Sequence, residues 1–274
     1  MLKNVFAISA HGQPDCVEDL ILNLRTCDPN SPIVLYDGGK DRSIIAQTER
    51  WQQFLVDVVP NPQPQAWGSL HGYAIACIDH ISDRQYDTIT FVDSDQLMIK
   101  RGYSEYLSEK IPLNFGVLST LPRQHGIDSP VLCVQDFHAD RANWLPYLSL
   151  FDGWEDVFVR WTFWPGTVLS SGAARALAAE FKTDRLDRAL RGSRAWATEE
   201  CLIPTISGLL GFNEMQNPCD GRWNKFRTAW KASDVDGAIS APGAFFMHPI
   251  ARRMDDPVRT YIRNLLIKNC QYTG

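Results

Sequence analysis

The chain opens with a short apolar run, Val5–Ser9, that stops at Ala10-His11-Gly12. Asp15 then stands where an N-cap belongs, ahead of Cys16 to Leu24, in which Val17, Leu20, Ile21 and Leu24 recur at helical spacing. The alternation continues. Ile33–Tyr36 reads as a second strand closed by Asp37-Gly38-Gly39, residues 42–55 as a helix, and Val56–Val59 as a third strand ending at the Pro60, Pro62, Pro64 cluster. From Ser69 to Ile81, the set Leu70, Ala74, Cys77, Ile78 and Ile81 marks one helix face. Thr88–Val92 is a fourth strand and runs straight into Asp93-Ser94-Asp95. Strands separated by helices are βαβ units, so the pattern predicts an α/β protein with a Rossmann-like, mostly parallel sheet flanked by helices. In such sheets ligands gather beyond the carboxyl ends of the strands. His11, Asp37, Asp93 and Asp95 all fall at those ends.

The second half is less regular. It carries a strand-like Phe115–Ser119, an aromatic-rich stretch from Trp144 to Trp164, and a helix entered at Ser170-Ser171-Gly172 and continued by Ala173–Phe181. A further helix over Cys201 to Leu210 contains Pro204. Neither repeat nor linker interrupts the chain, which predicts one domain over residues 1–274 with two halves, 1–100 and 101–274. At 274 residues, 45% hydrophobic and 22% charged, the composition is that of a globular protein, which excludes disorder and fibrous repeats. The net charge of −5 disfavours nucleic acid held on a basic face, while a local basic pocket for a phosphorylated ligand stays compatible. Seven dispersed cysteines without a C-x-x-C argue against a disulfide framework and against a zinc knuckle. The first apolar run, Val5 to Ile8, is too short for a signal peptide's apolar region or a membrane span. A soluble cytoplasmic protein with no transmembrane segment is therefore expected, with peripheral membrane association and oligomeric state left open.

Four segments carry candidate chemistry. Asp93-Ser94-Asp95 sets two carboxylates in one loop directly after a buried strand. Their hard oxygens suit Mg²⁺ or Mn²⁺, which substrate phosphates and water usually complete; the ordinary alternative is a solvated turn. In Trp196-Ala197-Thr198-Glu199-Glu200 the acid pair either complements a helix dipole or accepts a proton from a hydroxyl. In Phe245-Phe246-Met247-His248-Pro249 the histidine offers a metal ligand, and Arg252, Arg253 and Arg259 offer a diphosphate clamp. A surface histidine and a basic face paired with Asp255 and Asp256 is the plain alternative. Trp161-Thr162-Phe163-Trp164-Pro165-Gly166-Thr167 places aromatic rings beside a glycine that lets backbone approach a ligand, against the commoner explanation of core packing.

In that order these segments resemble the glycosyltransferases of the GT-A fold, from Val5 to about Arg263. The resemblance implies a nucleotide-diphosphate sugar as donor, a UDP-sugar first among them, with Mn²⁺ or Mg²⁺ and a glycan or other hydroxyl as acceptor. It makes 1–100 the donor half and 101–274 the acceptor and catalytic half. Asp37-Gly38-Gly39-Lys40-Asp41 is similar to the family's uridine-contacting turn, with His11 nearby on the donor side. Asp93 and Asp95 match the D-x-D that holds ribose and metal, and His248 matches the histidine that completes the metal site. Gly166 falls in the loop lining donor sugar and acceptor, and Arg252 and Arg253 would face the diphosphate. Glu200, the last acid of Thr198-Glu199-Glu200, matches the base of inverting members, with Glu199 beside it. A hexosyl- or N-acetylhexosaminyltransferase is implied. The stretch from His248 is also similar to mucin-core branching N-acetylglucosaminyltransferases, but those lack a D-x-D, which this chain has. Two other classes compete. A sugar nucleotidyltransferase wants a glycine-rich basic loop after the first strand, where Ala10-His11-Gly12-Gln13-Pro14 offers one glycine and neither lysine nor arginine. A non-catalytic carbohydrate-binding protein would explain the nine tryptophans but not the metal-type acids.

Overall fold

The computed structural model describes residues 2–112 and 114–271, and side chains as far as Ile267; the side chain of Cys270 lies outside the described residues. The elements begin β1 (Asn4–Ala10), α1 (Pro14–Cys27), β2 (Ile33–Asp37), α2 (Thr48–Gln52), β3 (Val56–Val58), α3 (His71–His80) and β4 (Thr88–Asp93). They continue β5 (Leu97–Met98), α4 (Tyr103–Lys110), β6 (Phe115–Ser119), α5 (Leu132–Ala139), α6 (Arg141–Leu148), β7 (Val168–Ser170) and α7 (Ser171–Glu180). Last come α8 (Asp184–Gly192), α9 (Thr198–Leu209), β8 (Asn213–Gln216), α10 (Ala232–Ser240), β9 (Phe246–Met247) and α11 (Pro257–Gln271). The protein is α/β, as the alternating pattern predicts. Two compact units emerge, each drawn from separate stretches: Met1–Pro64, Thr90–Ile111 and Pro218–Gly274 in the first, Gln65–Ile89 and Pro112–Asn217 in the second. No helix among the described residues is long and apolar enough to cross a membrane.

In the first unit the strand order is β3-β2-β1-β4. Strands β1 and β2 are parallel, with Phe6 opposite Ile33 and Ala10 opposite Asp37, and β2 is parallel to β3. All residues of β1 and β2 are buried, the mark of parallel strands covered on both faces. Helix α1 departs from the expected start. Gln13, at a left-handed φ of 48°, is the N-cap and Pro14 opens the helix, because proline's fixed φ suits a first turn where no N–H is needed. Asp15 is instead an exposed first-turn acid, paired with Arg50 at 2.9 Å. The single helix expected over 42–55 is also broken, into a 3₁₀ turn at Ile45–Gln47 followed by the short α2. The buried Asp37 carboxylate accepts the amides of Ile44 and Ile45 at 3.2 and 2.8 Å, which fixes the loop entry and delays the helix.

In the second unit β6 pairs antiparallel with β7 and parallel with β8. Helix α7 starts where Ser170-Ser171 predicts, its N-cap Ser170 accepting from Ala173 N at 3.2 Å. Helix α9 begins three residues before the expected Cys201 and passes through Pro204 without ending. Proline cannot donate to the carbonyl four residues back. That carbonyl, on Glu200, takes the amide of Thr162 at 3.0 Å instead. The aromatic stretch is core rather than platform at three of its tryptophans, Trp144, Trp154 and Trp164. Trp144 and Trp164 are buried, Trp144 stacking on Phe137 and Trp164 Nε1 donating to the Tyr73 hydroxyl at 3.0 Å.

One acid in this unit sets a stability expectation. The Glu214 side chain on β8 is 3% exposed, with Arg160 Nε at 3.8 Å as its ion partner. Burial pushes its pKa up to about 7, against the weaker pull of Ser119 and Arg160. A carboxyl raised in the folded state is most favourable below its unfolded pKa, and that contribution is lost as pH rises through the folded one. Glu214→Gln should therefore match wild type near pH 4 and be more stable by up to about 3 kcal/mol at pH 8. Urea midpoints at the two pH values measure this; parallel loss of stability in both proteins would refute it.

Candidate functional site

Strand β4 delivers Asp93 as its last residue, and the turn that follows closes with Gln96 N donating to Asp93 O at 2.9 Å. The chain then enters β5, which pairs antiparallel with β9, Leu97 opposite Met247 and Met98 opposite Phe246. That register carries His248, one residue past Met247, alongside the Asp93–Asp95 turn. Ile250 N reaches back to Asp95 O at 2.7 Å. From the α1 side the Asn23 amide exchanges two hydrogen bonds of 2.8 Å with the Met98 backbone, acting as one more strand partner for β5.

His248 is fixed on every side. Its N donates to Trp223 O, and its O accepts from Lys225 N and from Trp230 Nε1, each at 3.0 Å. The imidazole Nδ1 lies 2.9 Å from the Lys225 carbonyl, which can only accept, so Nδ1 carries a proton. Nε2 is thereby turned to the carboxylates, 3.3 Å from Asp95 Oδ1 and 3.9 Å from Asp93 Oδ2. Arg252 closes the other side, with Nη2 at 3.1 Å from Asp95 Oδ2 and Nε donating to Ser94 Oγ at 2.8 Å. Asp93, Asp95 and His248 each offer one ligand atom, all within 4.8 Å of one another.

The charges are strongly coupled. Burial pushes Asp93 up to about 6, with Asp95 adding to the rise and His248 and Arg252 opposing it. For Asp95 burial also acts upward, but the hydrogen bond from His248 and the Arg252 charge outweigh it and its pKa falls. Burial alone would lower His248; the hydrogen bond and charge of Asp95, then Asp93 and the Lys225 carbonyl, reverse this and raise it. Asp93 Oδ1 is buried without a hydrogen-bond partner among the described residues, a costly state unless something else supplies the contact. Two hard carboxylates plus an imidazole locked by its other nitrogen form a donor set that fits a divalent ion. A cleft of about 420 Å³ adjoins the cluster, lined by Asp95, Arg227, Trp230, Ile250 and Arg252 among others.

The other predicted residues divide. His11 follows β1 directly; partial burial of its imidazole and then the Arg252 charge lower its pKa, against the opposing pull of Asp95 and Asp37. Asp37 is fully buried, and its oxygens already accept from Gly39, Ile44 and Ile45, so it shapes the 38–45 loop from within. Arg253 is exposed, with Asp255 at 4.0 Å, and does not join the cluster. Arg259 does not belong to a diphosphate clamp: it is 0% exposed and donates to Asp19 at 2.7 Å and to Ala251 O at 3.1 Å, tying α11 to α1. Sequence reading missed Trp223, Lys225 and Trp230, the holders of His248, whose contacts are made by backbone carbonyls and ring edges that leave no motif. Asn23 did leave a signal, as a polar residue beside Leu20 and Leu24 on an apolar helix face.

The acid pair and Gly166 lie in the second unit. Gly166 has a φ of 86°, open only to glycine at low cost, and its carbonyl accepts from Asn217 Nδ2 at 3.2 Å. Ala197, the N-cap of α9, is also left-handed at φ 49°, a strained setting for alanine directly before the acids. Glu199 turns inward, 4% exposed, with Oε2 accepting from Leu70 N at 2.8 Å. Glu200 is half-buried and its Oε2 accepts from Trp161 Nε1 at 2.8 Å, with Cys133 Sγ at 3.7 Å. Adjacent helical residues diverge by about 100°, and this pair does so.

No protein-family model and no curated protein matches the chain. Among solved structures it is similar to the WbbM bifunctional glycosyltransferase in its apo form, at 14% identity and a TM-score of 0.47, covering 97% of this chain and 50% of that one. The mannosyltransferase PcManGT from Pyrobaculum calidifontis, solved with GDP-Man and Mn²⁺, is similar at 12% identity and a TM-score of 0.46, over 99% of this chain and 76% of that one. The apo-form glycosyltransferase GlyE of Streptococcus pneumoniae follows at 11% and 0.45, over 100% of this chain and 64% of that one. The chain thus spans half the length of WbbM, and likenesses at this level assign it to no family.

Proposed function

We propose that the chain is a nucleotide-sugar-dependent glycosyltransferase that holds a divalent ion at Asp93, Asp95 and His248. The observation that carries this is the convergence of two carboxylates and a locked imidazole within 4.8 Å, with the Arg252 guanidinium beside them. Such an ion, when bound, neutralises charge on a donor diphosphate and on the departing nucleoside diphosphate. The imidazole ligand favours Mn²⁺ over Mg²⁺, which prefers an all-oxygen shell. Arg252, positioned by Ser94, adds a fixed positive charge on the same side. The donor is a UDP-sugar, hexosyl or N-acetylhexosaminyl, with the His11 and Asp37 loops at its nucleotide. The odd, dispersed cysteines fit a reducing cytoplasmic setting.

Glu200 is the base in this reading. Trp161 holds one carboxylate oxygen, which orients the group, and the carboxylate takes the proton of an acceptor hydroxyl as that oxygen attacks the anomeric carbon. Attack opposite the leaving group inverts the configuration. Glu199, spent on the Leu70 amide, is its structural neighbour.

Calorimetric titration with Mn²⁺ and UDP tests the metal site. Asp95→Ala and His248→Ala should each weaken Mn²⁺ by at least the roughly 10–100-fold that loss of even an outer-shell partner causes. Metal-free UDP affinity should change far less. Unchanged Mn²⁺-dependent UDP binding in both variants would remove the site from the mechanism. For the base, Glu200→Gln should lower kcat on the order of 10²–10⁴-fold with donor affinity intact. Glu199→Gln should show a smaller kinetic loss and a lower Tm. Wild-type rates in both would exclude a carboxylate base here.

A further inference from the structure

The second unit carries an aromatic pair of which one ring, Trp67, is exposed and the other, Trp196, half-buried. Trp67 is 65% exposed, and its ring meets that of Trp196 at 4.8 Å between centroids and 61° between planes. The backbone between Trp67 and α3 lies on the Trp196 indole: a Cβ at Gly68 would come within 2.0 Å of Trp196 Nε1, and Gly68 sits at a φ of 77°. Only glycine permits that approach. The same loop is stitched to the start of α9. Thr198 N donates to Gly68 O at 3.2 Å, Leu70 N donates to Glu199 Oε2 at 2.8 Å, and His71 Nδ1 is 2.6 Å from Thr198 Oγ1. Trp196 precedes Glu200 by four residues. The exposed indole is thus rigidly indexed to the carboxylate pair.

We infer that the exposed face of Trp67, braced edge-on by Trp196, is a stacking platform for a sugar ring of the acceptor glycan, an inference that rests on the glycosyltransferase reading. Large, fixed aromatic faces in water are unfavourable, and the partner they suit is one whose surface is apolar on one side and hydroxylated at the rim. A pyranose has that form: axial C–H groups on one face, hydroxyls around it. Gln65 stands two residues before Trp67 in the same loop. Both amide atoms of Gln65, Oε1 and Nε2, are buried without a hydrogen-bond partner among the described residues, an unmet donor and acceptor that a hydroxyl or a bridging water can satisfy. A purely apolar partner, such as a lipid chain or a hydrophobic peptide, would leave that amide unanswered.

The test applies wild type, Trp67→Ala and Trp67→Phe, each with Mn²⁺ and UDP, to an array of immobilised oligosaccharides. UDP affinity, Tm and the acceptor-free hydrolysis of UDP-sugars are measured in parallel. Wild type should retain at least one class of glycan. Trp67→Ala should lose at least about tenfold of that affinity, equivalent to about 1.4 kcal/mol. Its UDP affinity and Tm should stay as in wild type, since the ring is largely exposed, and Trp67→Phe should keep most glycan binding. Equal glycan affinity in wild type and Trp67→Ala overturns the platform, as does loss of UDP affinity together with glycan, which would make Trp67 structural. Hydrolysis of UDP-sugars with no glycan retained by wild type overturns it too, while leaving the transferase reading in place. Absence of nucleotide binding and of hydrolysis in wild type fails that reading instead.

Discussion

A two-residue ribbon governs the first unit. Pairing of β5 with β9 sets Leu97 against Met247, and together with the Ile250 N to Asp95 O bond and the Arg252 contacts it brings residues 93–95 and 248–252 together across that sequence distance. Side chains alternate faces with period two, so a one-residue slip would send His248 away from the carboxylates and bring Met247 in. A ribbon this short cannot hold its own register. It is held from outside, by Asn23 on β5 and by the Trp223, Lys225 and Trp230 contacts that clamp the backbone of His248. The site is therefore only as well ordered as the loop from Trp223 to Trp230, which supplies both the clamp on His248 and part of the adjoining cleft wall.

The same constraint explains how two buried acids are tolerated side by side. Removing two carboxylates from water is expensive, and Coulomb repulsion between them adds to it. Arg252 and His248 offset part of that, Asp95 taking the larger share and Asp93 left with a raised pKa and an unmet oxygen. Contrast Asp19, another buried acid of this unit. Asp19 is met by both Arg259 at 2.7 Å and Arg263 at 2.8 Å, a closed set in which each carboxylate oxygen has its own guanidinium. At Asp19 both carboxylate oxygens are met within the protein; at Asp93 one oxygen is left for something else to meet.

Much of this was legible in the chain itself where local pattern decides the outcome. The strands of the first half, the acids at the end of β4 and the Ser170 helix start follow from apolar runs and capping chemistry that tertiary contacts leave alone. Where distant groups intervene, local pattern misleads. The 42–55 helix yields because Asp37 captures the amides of Ile44 and Ile45, and Asp15 loses the cap because Pro14 claims the first turn. Arg259 shares its segment with Arg252 and Arg253, and spacing alone gives no reason to separate them. Their fates differ because α11 turns Arg259 toward Asp19 while the turn before it leaves Arg252 at Asp95. Trp161 and Trp164 divide the same way, one on the Glu200 carboxylate and one on the Tyr73 hydroxyl inside the core.

The start of α9 shows how a helix that looks defective becomes a device for presenting an acid. Pro204 deprives Glu200 O of its helical donor, and the orphaned carbonyl is met by Thr162 N. That bond fixes the Trp161–Thr162 segment against the helix, and the adjacent Trp161 Nε1 then falls on the Glu200 carboxylate. Main chain and side chain of one residue are thus both held by one dipeptide, a consequence of the proline that an uninterrupted helix would not produce. On the opposite face Glu199 binds the Leu70 amide, which fixes the Trp67 loop. Two neighbouring acids, diverging as helical geometry requires, serve as anchor and as presented group. Ala197 accepts a left-handed backbone at the junction because these contacts together outweigh a strain of order 1–3 kcal/mol. A residue without that surrounding network could not stay there, so the strain, the proline and the acid pair are parts of a single arrangement.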